Sequence, residues 1–459
     1  MKRRHIIAYS AGSLGTALSM QCFNTFVGFF YMDVLKLAPY LFSLAMTVYA
    51  IWNAINDPLA GQISDRTRTR WGRRIPYIAG LTLPMVLVFV LVWIAPFRGD
   101  QGQMAPLFLY FLVTICAFDG LWTFVVLNWT ALFPEMFPEH RDRSEVSAWR
   151  QVFSIIGLIL GIAMPPLLYS RFGWPAMGIG FAVITAASLF ISLLGSHENP
   201  GFSQEGGLEF WPAIKATFGN RSFVIFLILN LFLTFVFDLL TAVLPFYAKY
   251  ALHIGDLQTT ALLGCTLILA LPMLVLWVRI CAQRGARNAL LLASAAFGLA
   301  LLPLMLVRTF LGALAVLAVA SFGFAGLLML TDVMIADLVD EDELKTGVRR
   351  EGMFFGINGF VIRFSIAMQS MVMAVVLSQS GYNASLPVEA QPTTVALGVR
   401  ALLSVVPALG LALAFVFTWL FPLHGPRLAE VKARVAALHK AKAERAAGAG
   451  AAGSPAAVS

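Results

Sequence analysis

The chain has 459 residues, of which 59% are hydrophobic and 12% are charged, and its formal net charge is +8. A mean hydropathy of +0.80 lies far above that of soluble globular proteins, so the composition excludes a soluble domain and indicates a membrane protein. The positive charge falls in short loops beside apolar runs, where it sets topology, and nucleic acid is therefore not an expected partner.

Apolar runs long enough to cross a bilayer as helices follow one another along the whole chain. The twelve predicted spans are 6–32, 40–63, 76–96, 105–133, 146–170, 175–195, 222–250, 258–280, 288–306, 310–338, 353–379 and 396–421. The sequence thus predicts an all-α membrane protein with twelve transmembrane helices.

Lys and Arg are distributed unequally between the two sides of these spans. The side that carries both termini has 25 of them outside the spans, and the other side has 6. By the positive-inside rule both termini are cytoplasmic, which fits a multi-pass protein of a bacterial-type inner (plasma) membrane.

A long polar interruption divides the spans into two sets of six. The predicted domains are an N-terminal six-helix bundle (1–195), a cytoplasmic linker (196–221), a C-terminal six-helix bundle (222–421) and a cytoplasmic tail (422–459). In both halves an acid at a helix end, Glu135 or Asp337, precedes a mixed-charge loop, which indicates two pseudo-symmetric bundles. The tail is basic and then rich in Ala and Gly. Its basic part is expected on the anionic inner leaflet and its end is expected to be disordered.

The stretch 50–77, AIWNAINDPLAGQISDRTRTRWGRRIPY, places polar side chains inside an apolar helix and then a dense arginine loop after it. Asn53, Asn56 and Asp57 lie within one turn of the predicted second span. Acids inside a membrane are costly and usually functional, so Asp57 is the first candidate site residue.

Three segments resemble the signatures of one family: NDPLAGQISDRTRTRWGRRIPY, ALFPEM with RDRSEVSAWRQ, and ADLVDEDELKTGVRREGMFFG. They are similar to those of the glycoside–pentoside–hexuronide:cation symporters, a branch of the major facilitator superfamily that includes the melibiose permease. The resemblance implies the major facilitator fold and alternating access around a midplane pocket between two bundles.

The resemblance also implies a cation site formed by Asn53, Asn56, Asp57 and Thr123. The family carries a carboxylate at the position of Asn53, and this departure favours a proton as the coupling ion, because a lone buried acid exchanges a proton readily. Sodium stays an alternative, since Asp119 lies one turn before Thr123 at a depth that matches Asn53. No other cofactor and no metal site is expected, because the six histidines lack metal-ligand spacing.

For the solute pocket, the resemblance places Ala17 and Val126 where the family has sugar-binding acids. Arg150 and Arg363 lie where it has basic residues, which favours an anionic solute such as a hexuronide. Arg363 could instead neutralise Asp238 or Asp57, and Arg150 could serve the gate. Further pocket candidates are Gln21, Asn24, Trp122, Asn128, Trp129, Asp238 and Asn358.

Charged residues at the predicted cytoplasmic helix ends form a candidate latch that closes in one state and opens in the other. Its members are Asp65, Arg66, Gly72, Arg73, Glu135, Asp337 and Arg350.

Together these features predict a secondary active transporter that carries a polar organic solute, a sugar or sugar acid, with a cation, and works as a monomer among membrane lipids. A carrier of lysophospholipids is an alternative, and a non-transporting sensor or scaffold is another. No phosphate loop, catalytic triad or metal cluster supports an enzyme.

Overall fold

The computed structural model describes residues 3–69, 71–137, 140–198, 219–346, 351–435 and 437–438. All regular structure in these ranges is helical. Most of the predicted linker and the end of the predicted tail lie outside them.

The first half of the chain forms six long helices. They are α1 (Arg3–Gly28), α2 (Pro39–Arg66), α3 (Ile75–Val92), α4 (Met104–Met136), α5 (His140–Ala163) and α6 (Pro165–Leu194).

In the described residues, the six predicted spans of the second half form eight helices, because two of these spans are each broken in the middle. They are α7 (Arg221–Phe246), α8 (Asp256–Arg284), α9 (Ala286–Leu301), α10 (Phe310–Thr346), α11 (Glu351–Ile362), α12 (Phe364–Gln379), α13 (Thr393–Leu403) and α14 (Val405–Leu420). The breaks fall at Arg363 and at Ser404.

In the described part of the chain, ten spans are long and apolar enough to cross a membrane. α11 with α12, and α13 with α14, each supply one of them. The two remaining predicted spans correspond to α1 and α2, which have 26 and 28 residues but carry many polar side chains. In α1 the hydroxyls of Ser10, Thr16 and Ser19 are buried and donate to backbone carbonyls. Internal polar groups therefore lower the hydropathy of α1 without exposing it.

Helices of each half pack mainly against one another, and a few pairs join the halves. α1 packs on α5 and α6, and α9 and α10 pack together, whereas α2 with α12, α1 with α7 and α5 with α8 cross between the halves. The functional side chains described below lie along these crossing pairs.

The contact between α1 and α5 depends on two glycines. A Cβ atom at Gly157 would lie 2.4 Å from the carbonyl oxygen of Leu14, and one at Gly161 would lie 2.6 Å from that of Leu18. Because a side chain at either position would collide with α1, these glycines serve helix packing.

α1 and α7 end in the same way, 217 residues apart. Each continues into a π-helical turn, Phe29–Val34 or Tyr247–Ala251. Each then reaches a non-glycine residue with positive φ, Lys36 (66°) or His253 (53°). The backbone hydrogen bonds that close the turns also correspond: Leu37 N to Tyr31 O, and Ile254 N to Ala248 O. The first helices of the two halves thus repeat one another in backbone structure, as the predicted pseudo-symmetry requires.

The start of the tail is helical over 425–435 and packs on the end of α10. Arg427 pairs with Glu341 at 2.6 Å, and Lys432 pairs with Asp337 at 3.0 Å. Val431 and Val435 are buried. Two cations of this basic segment are thus paired with acids of α10, and its position on the leaflet stays a prediction.

Candidate functional site

A buried carboxylate, Asp119, lies at the contact between α2 and α4. It is fully shielded from solvent and accepts hydrogen bonds from Asn53 Nδ2, from Asn56 Nδ2 at 3.3 Å and from the Tyr49 hydroxyl at 3.3 Å. Neutral donors thus solvate this charge in the place of water. Tyr49 was not among the predicted site residues, although it lies one turn before Asn53 on the same face of α2.

The second carboxylate of this contact, Asp57, meets a cation from the other half of the chain. Arg363 Nη2 lies 2.6 Å from Asp57 Oδ2, and the Thr123 hydroxyl donates to Asp57 Oδ1 at 3.1 Å. Both partners of the ion pair are mostly buried, with side-chain exposures of 23% for Arg363 and 32% for Asp57. Three roles were left open for Arg363, and in this structure it neutralises Asp57.

The pairing between the two helices is the one that depth along the helices predicts. Asp119 contacts Asn53, and Thr123 contacts Asp57, because residues four apart share one face of α4 and of α2. The remaining Asn53 atom, Oδ1, is buried and has no hydrogen-bond donor among the described residues. The cluster therefore offers carboxylate, amide and hydroxyl oxygens that could hold a small cation.

A small cavity lies between the halves, nearer the start of α2 than this cluster. It is lined by Asn24 of α1, Asp238 of α7 and Gln369 of α12, with apolar walls that include Phe42 and Met46. The Ser365 hydroxyl donates to Asp238 Oδ2 at 2.6 Å. Two predicted pocket residues, Asn24 and Asp238, thus come together. Gln369 was missed, since a single amide in an apolar run has no local signal.

Other predicted pocket residues lie elsewhere. Trp129 is buried, donates from Nε1 to the Ser192 hydroxyl at 2.8 Å and stacks on Tyr9. The Arg150 guanidinium lies over the Trp129 ring, 4.7 Å from its centroid. Since Tyr9 is near the start of α1, this stack is remote from the cavity along the helix.

The last four pocket candidates do not line the cavity described above. Asn128 donates to the Phe124 carbonyl at 2.8 Å, and Asn358 accepts from Asn230 at 2.9 Å. The Trp122 Nε1 atom is buried without an acceptor among the described residues. Gln21 lies against α5, where a Cβ atom at Gly161 would be 3.1 Å from its Cβ. Their contact with a solute stays a prediction.

The structure describes only some of the predicted latch residues. Arg350 and the side chains of Asp65 and Glu135 lie outside the described part of the chain, and Arg66 is exposed at the end of α2. Asp337 pairs with Lys432 of the tail.

At the arginine loop, a carboxylate caps α3. Gly72 has φ of 103°, and the backbone N–H groups of Arg73, Arg74 and Ile75 donate to Glu198 at 2.6–2.8 Å. A side chain at Gly72 would collide with this carboxylate, since its Cβ would lie 2.3 Å from Glu198 Oε2. Gly72 therefore serves the cap of α3, a role that the latch hypothesis did not include.

At the opposite face of the molecule, the π-helical turns of the two halves meet. Asp33 is 2% exposed and pairs with Lys249 Nζ at 2.5 Å. The hydroxyls of Tyr250 and, at 3.4 Å, Tyr382 also donate to it. The sequence did not predict this ion pair, because Asp33 follows an apolar run and its partners are more than 200 residues away.

The fold and the site define a class. In the described residues, ten apolar spans accompany two carboxylates, amides and an arginine at the contact between two halves, as in a membrane transporter.

Known proteins agree with this class. The family described as MFS/sugar transport protein matches residues 8–425. An isoprimeverose transporter of Lactiplantibacillus pentosus is 27% identical over 82% of this chain and 80% of its own length. A glucuronide carrier protein homolog of Escherichia coli is 24% identical over 93% and 94%. A bacterial homologue of the lysosomal transporter Spinster, solved inward-facing, superposes with a TM-score of 0.68 at 13% identity, over 92% of this chain and 97% of that one.

The chain belongs to the MFS/sugar transport family. It is an integral inner-membrane transporter and not an enzyme, and the predicted relation to the glycoside–pentoside–hexuronide:cation symporters is confirmed. The likeness to the solved structure shows the fold alone.

Proposed function

We propose that this protein carries a sugar acid together with a cation, by alternating access between two six-helix bundles. In this proposal α1 and α2 also cross the membrane, which makes twelve spans with both termini cytoplasmic and a monomer as the working unit. At a rise of 1.5 Å per residue, helices of 26 and 28 residues are about 40 Å long, enough to cross.

The ion pair between Asp57 and Arg363 is the observation that carries the proposal, because it joins α2 of one half to the α11–α12 junction of the other. In the empty carrier the two charges neutralise each other. Removing one partner leaves an uncompensated charge, which costs about 3–5 kcal/mol in a fully buried pair and less in this one, whose side chains are 23% and 32% exposed.

This cost links solute binding to ion binding. If an anionic solute binds the Arg363 guanidinium, Asp57 loses its cation and must gain another one. A coupling ion on Asp57 restores neutrality, so the fully loaded carrier and the empty carrier avoid a bare buried charge. A carrier loaded with only one of the two retains that charge, and its reorientation is disfavoured.

We take a proton as the coupling ion, bound by Asp57. The alternative is sodium, favoured by the unpaired Asn53 Oδ1 atom and by Asp119 as a second nearby carboxylate.

The test uses purified protein in vesicles and labelled methyl β-D-glucuronide. An imposed pH gradient should drive uptake, and a sodium gradient should not. Asp57→Asn should abolish the driven uptake and retain downhill exchange. Asp100→Asn, in an exposed loop, is the matched control.

Three results would overturn parts of this proposal. Sodium-driven uptake that Asp119→Asn removes would show that the cation is sodium. Binding without flux in the wild-type protein would indicate a sensor, and flux of lysophospholipids in place of the glucuronide would indicate a lipid carrier.

A further inference from the structure

We infer that Asp337, near the cytoplasmic end of α10, exchanges one cation for another during transport. Lys432 of the tail helix (425–435) pairs with Asp337 while the cytoplasmic face is open, and Arg66 of the first half takes the place of Lys432 when that face closes. This inference rests on the alternating access of the proposed function and adds a role for the tail. It requires no particular solute or coupling ion.

Asp337 cannot be neutralised from within α10. It is 6% exposed, and a shielded carboxylate is costly without a cation beside it. The residues three and four positions away on the same helix are Val333, Met334, Asp340 and Glu341. None of these is basic, and the two acids repel the Asp337 charge at this spacing. Another segment must therefore supply the cation.

In this structure the tail helix supplies it. Lys432 Nζ lies 3.0 Å from Asp337 Oδ1, and the Lys432 side chain is 54% exposed, so this pair can separate without unfolding the helix. The neighbouring acid Glu341 is different, because it pairs with Lys345 of its own helix at 3.3 Å as well as with Arg427 of the tail. Loss of the tail cations would thus leave Asp337 without a counter-charge, whereas Glu341 would keep one.

Apolar contacts hold the tail helix in place independently of Lys432. Val431 and Val435, four residues apart on one face of the helix, are buried. Phe421 and Leu423, which connect α14 to the tail helix, are buried as well. Removal of the Lys432 charge should therefore leave the tail helix docked and change only the neutralisation of Asp337.

The first half of the chain carries a cation that can replace Lys432. Arg66 lies in the last turn of α2, is exposed, and pairs with no acid in the part of the chain that the structure describes. In the proposed orientation, α2 and α10 both end at the cytoplasmic face. An arginine can occupy the place of a lysine beside a carboxylate, where its guanidinium adds bidentate geometry.

The state of the opposite face indicates when the exchange takes place. In this structure Asp33 and Lys249 join the two halves there. When that contact opens, alternating access brings the cytoplasmic helix ends of the two halves together, and Arg66 approaches α10. Lys432 thus favours the state of this structure, and Arg66 favours the state that is closed at the cytoplasm. Removing one or the other should shift the equilibrium in opposite directions, which a loss of packing would not do.

The experiment measures maleimide labelling of Phe246→Cys in the purified full-length protein, after replacement of the four native cysteines. Phe246 is fully buried at the opposite face, so labelling reports the opening of that face. Lys432→Gln should speed labelling about tenfold, because the labelling rate follows the small open fraction and the lost pair raises that fraction. Arg66→Gln should slow labelling several-fold.

Two further variants serve as controls. The double variant Lys432→Gln/Asp337→Asn removes the acid together with its cation, so its labelling rate should return toward that of the wild-type protein. Arg434→Gln removes an exposed pair with Glu430 inside the tail helix and should have no effect.

Each outcome supports or overturns a stated part of the inference. If Lys432→Gln and Arg66→Gln leave labelling unchanged or shift it in the same direction, the exchange is wrong, and glucuronide uptake driven by a pH gradient would still support the proposed function. If Lys432→Gln alone acts as expected, Arg66 is not the second partner. If labelling shifts as expected and no glucuronide is taken up, the exchange stands and the proposed solute is wrong. A wild-type protein that is never labelled would overturn alternating access and the exchange with it.

Discussion

At the residue scale, Asp57 and Arg363 depend on each other. Asp57 accepts from Thr123 and Arg363, but a neutral hydroxyl cannot balance its charge. Each residue therefore destabilises the protein when the other is removed. This mutual dependence can be measured as a coupling free energy in a double-mutant cycle.

Arg363→Gln should lower the melting temperature, because it leaves the Asp57 carboxylate without a cation. We expect a loss on the order of 2 kcal/mol, less than for a fully buried pair, since the Asp57 side chain is 32% exposed. The double variant Asp57→Asn/Arg363→Gln should recover most of that loss. A double variant no more stable than the single one would show that the guanidinium stabilises the fold by packing and not by charge.

At the element scale, the approach of α1 to α5 is set by two residues without side chains. The carbonyl groups of Leu14 and Leu18 occupy the space that a methyl group at Gly157 or Gly161 would need. Neither carbonyl can move without bending α1, and α1 also carries the cavity residue Asn24.

Gly161→Ala should therefore destabilise the protein, although alanine is the better helix former by about 1 kcal/mol. Gly180→Ala is the matched control in α6, because nothing lies within 4 Å of its Cβ position. We expect the control to melt at the wild-type temperature or above and Gly161→Ala to melt several degrees lower. Equal melting temperatures would mean that α1 and α5 can separate at no cost.

At the scale of the whole molecule, the two halves are held together at the opposite face by Asp33 and Lys249. Phe29 of the first π-helical turn and Phe246, the last residue of α7, meet edge to face, with ring centroids 5.1 Å apart. Tyr250 and Tyr382 donate to the same carboxylate, and we expect this set of contacts to break when a solute passes at this face.

Asp33→Asn should favour conformations open at this face, because Lys249 loses its counter-charge. The measurement is maleimide labelling of Phe246→Cys after replacement of Cys22, Cys116, Cys265 and Cys281. Labelling should be several-fold faster in Asp33→Asn, and the swap Asp33→Lys/Lys249→Asp should slow it again. Asp100→Asn, which removes a surface pair within one half, should have no effect. Equal labelling in all variants would show that the ion pair between Asp33 and Lys249 does not hold the two halves together.

Helical periodicity and hydropathy determined a large part of this protein from the sequence alone. Ten of the predicted spans appear, and the contacts of Asn53 with Asp119 and of Thr123 with Asp57 were predictable. The reason is that a helix converts sequence spacing into face and depth, so antiparallel neighbours can be aligned by counting residues.

The tertiary structure alone decided which distant groups meet. Arg363 had two possible partners in the sequence, Asp238 and Asp57, and the packing of α12 on α2 selects Asp57. Asp33 likewise meets Lys249, and Asn24 and Gln369 line one cavity, only because the two halves face each other. Such pairs have no local signal, since their distance depends on how two apolar surfaces fit together and not on the spacing within either helix.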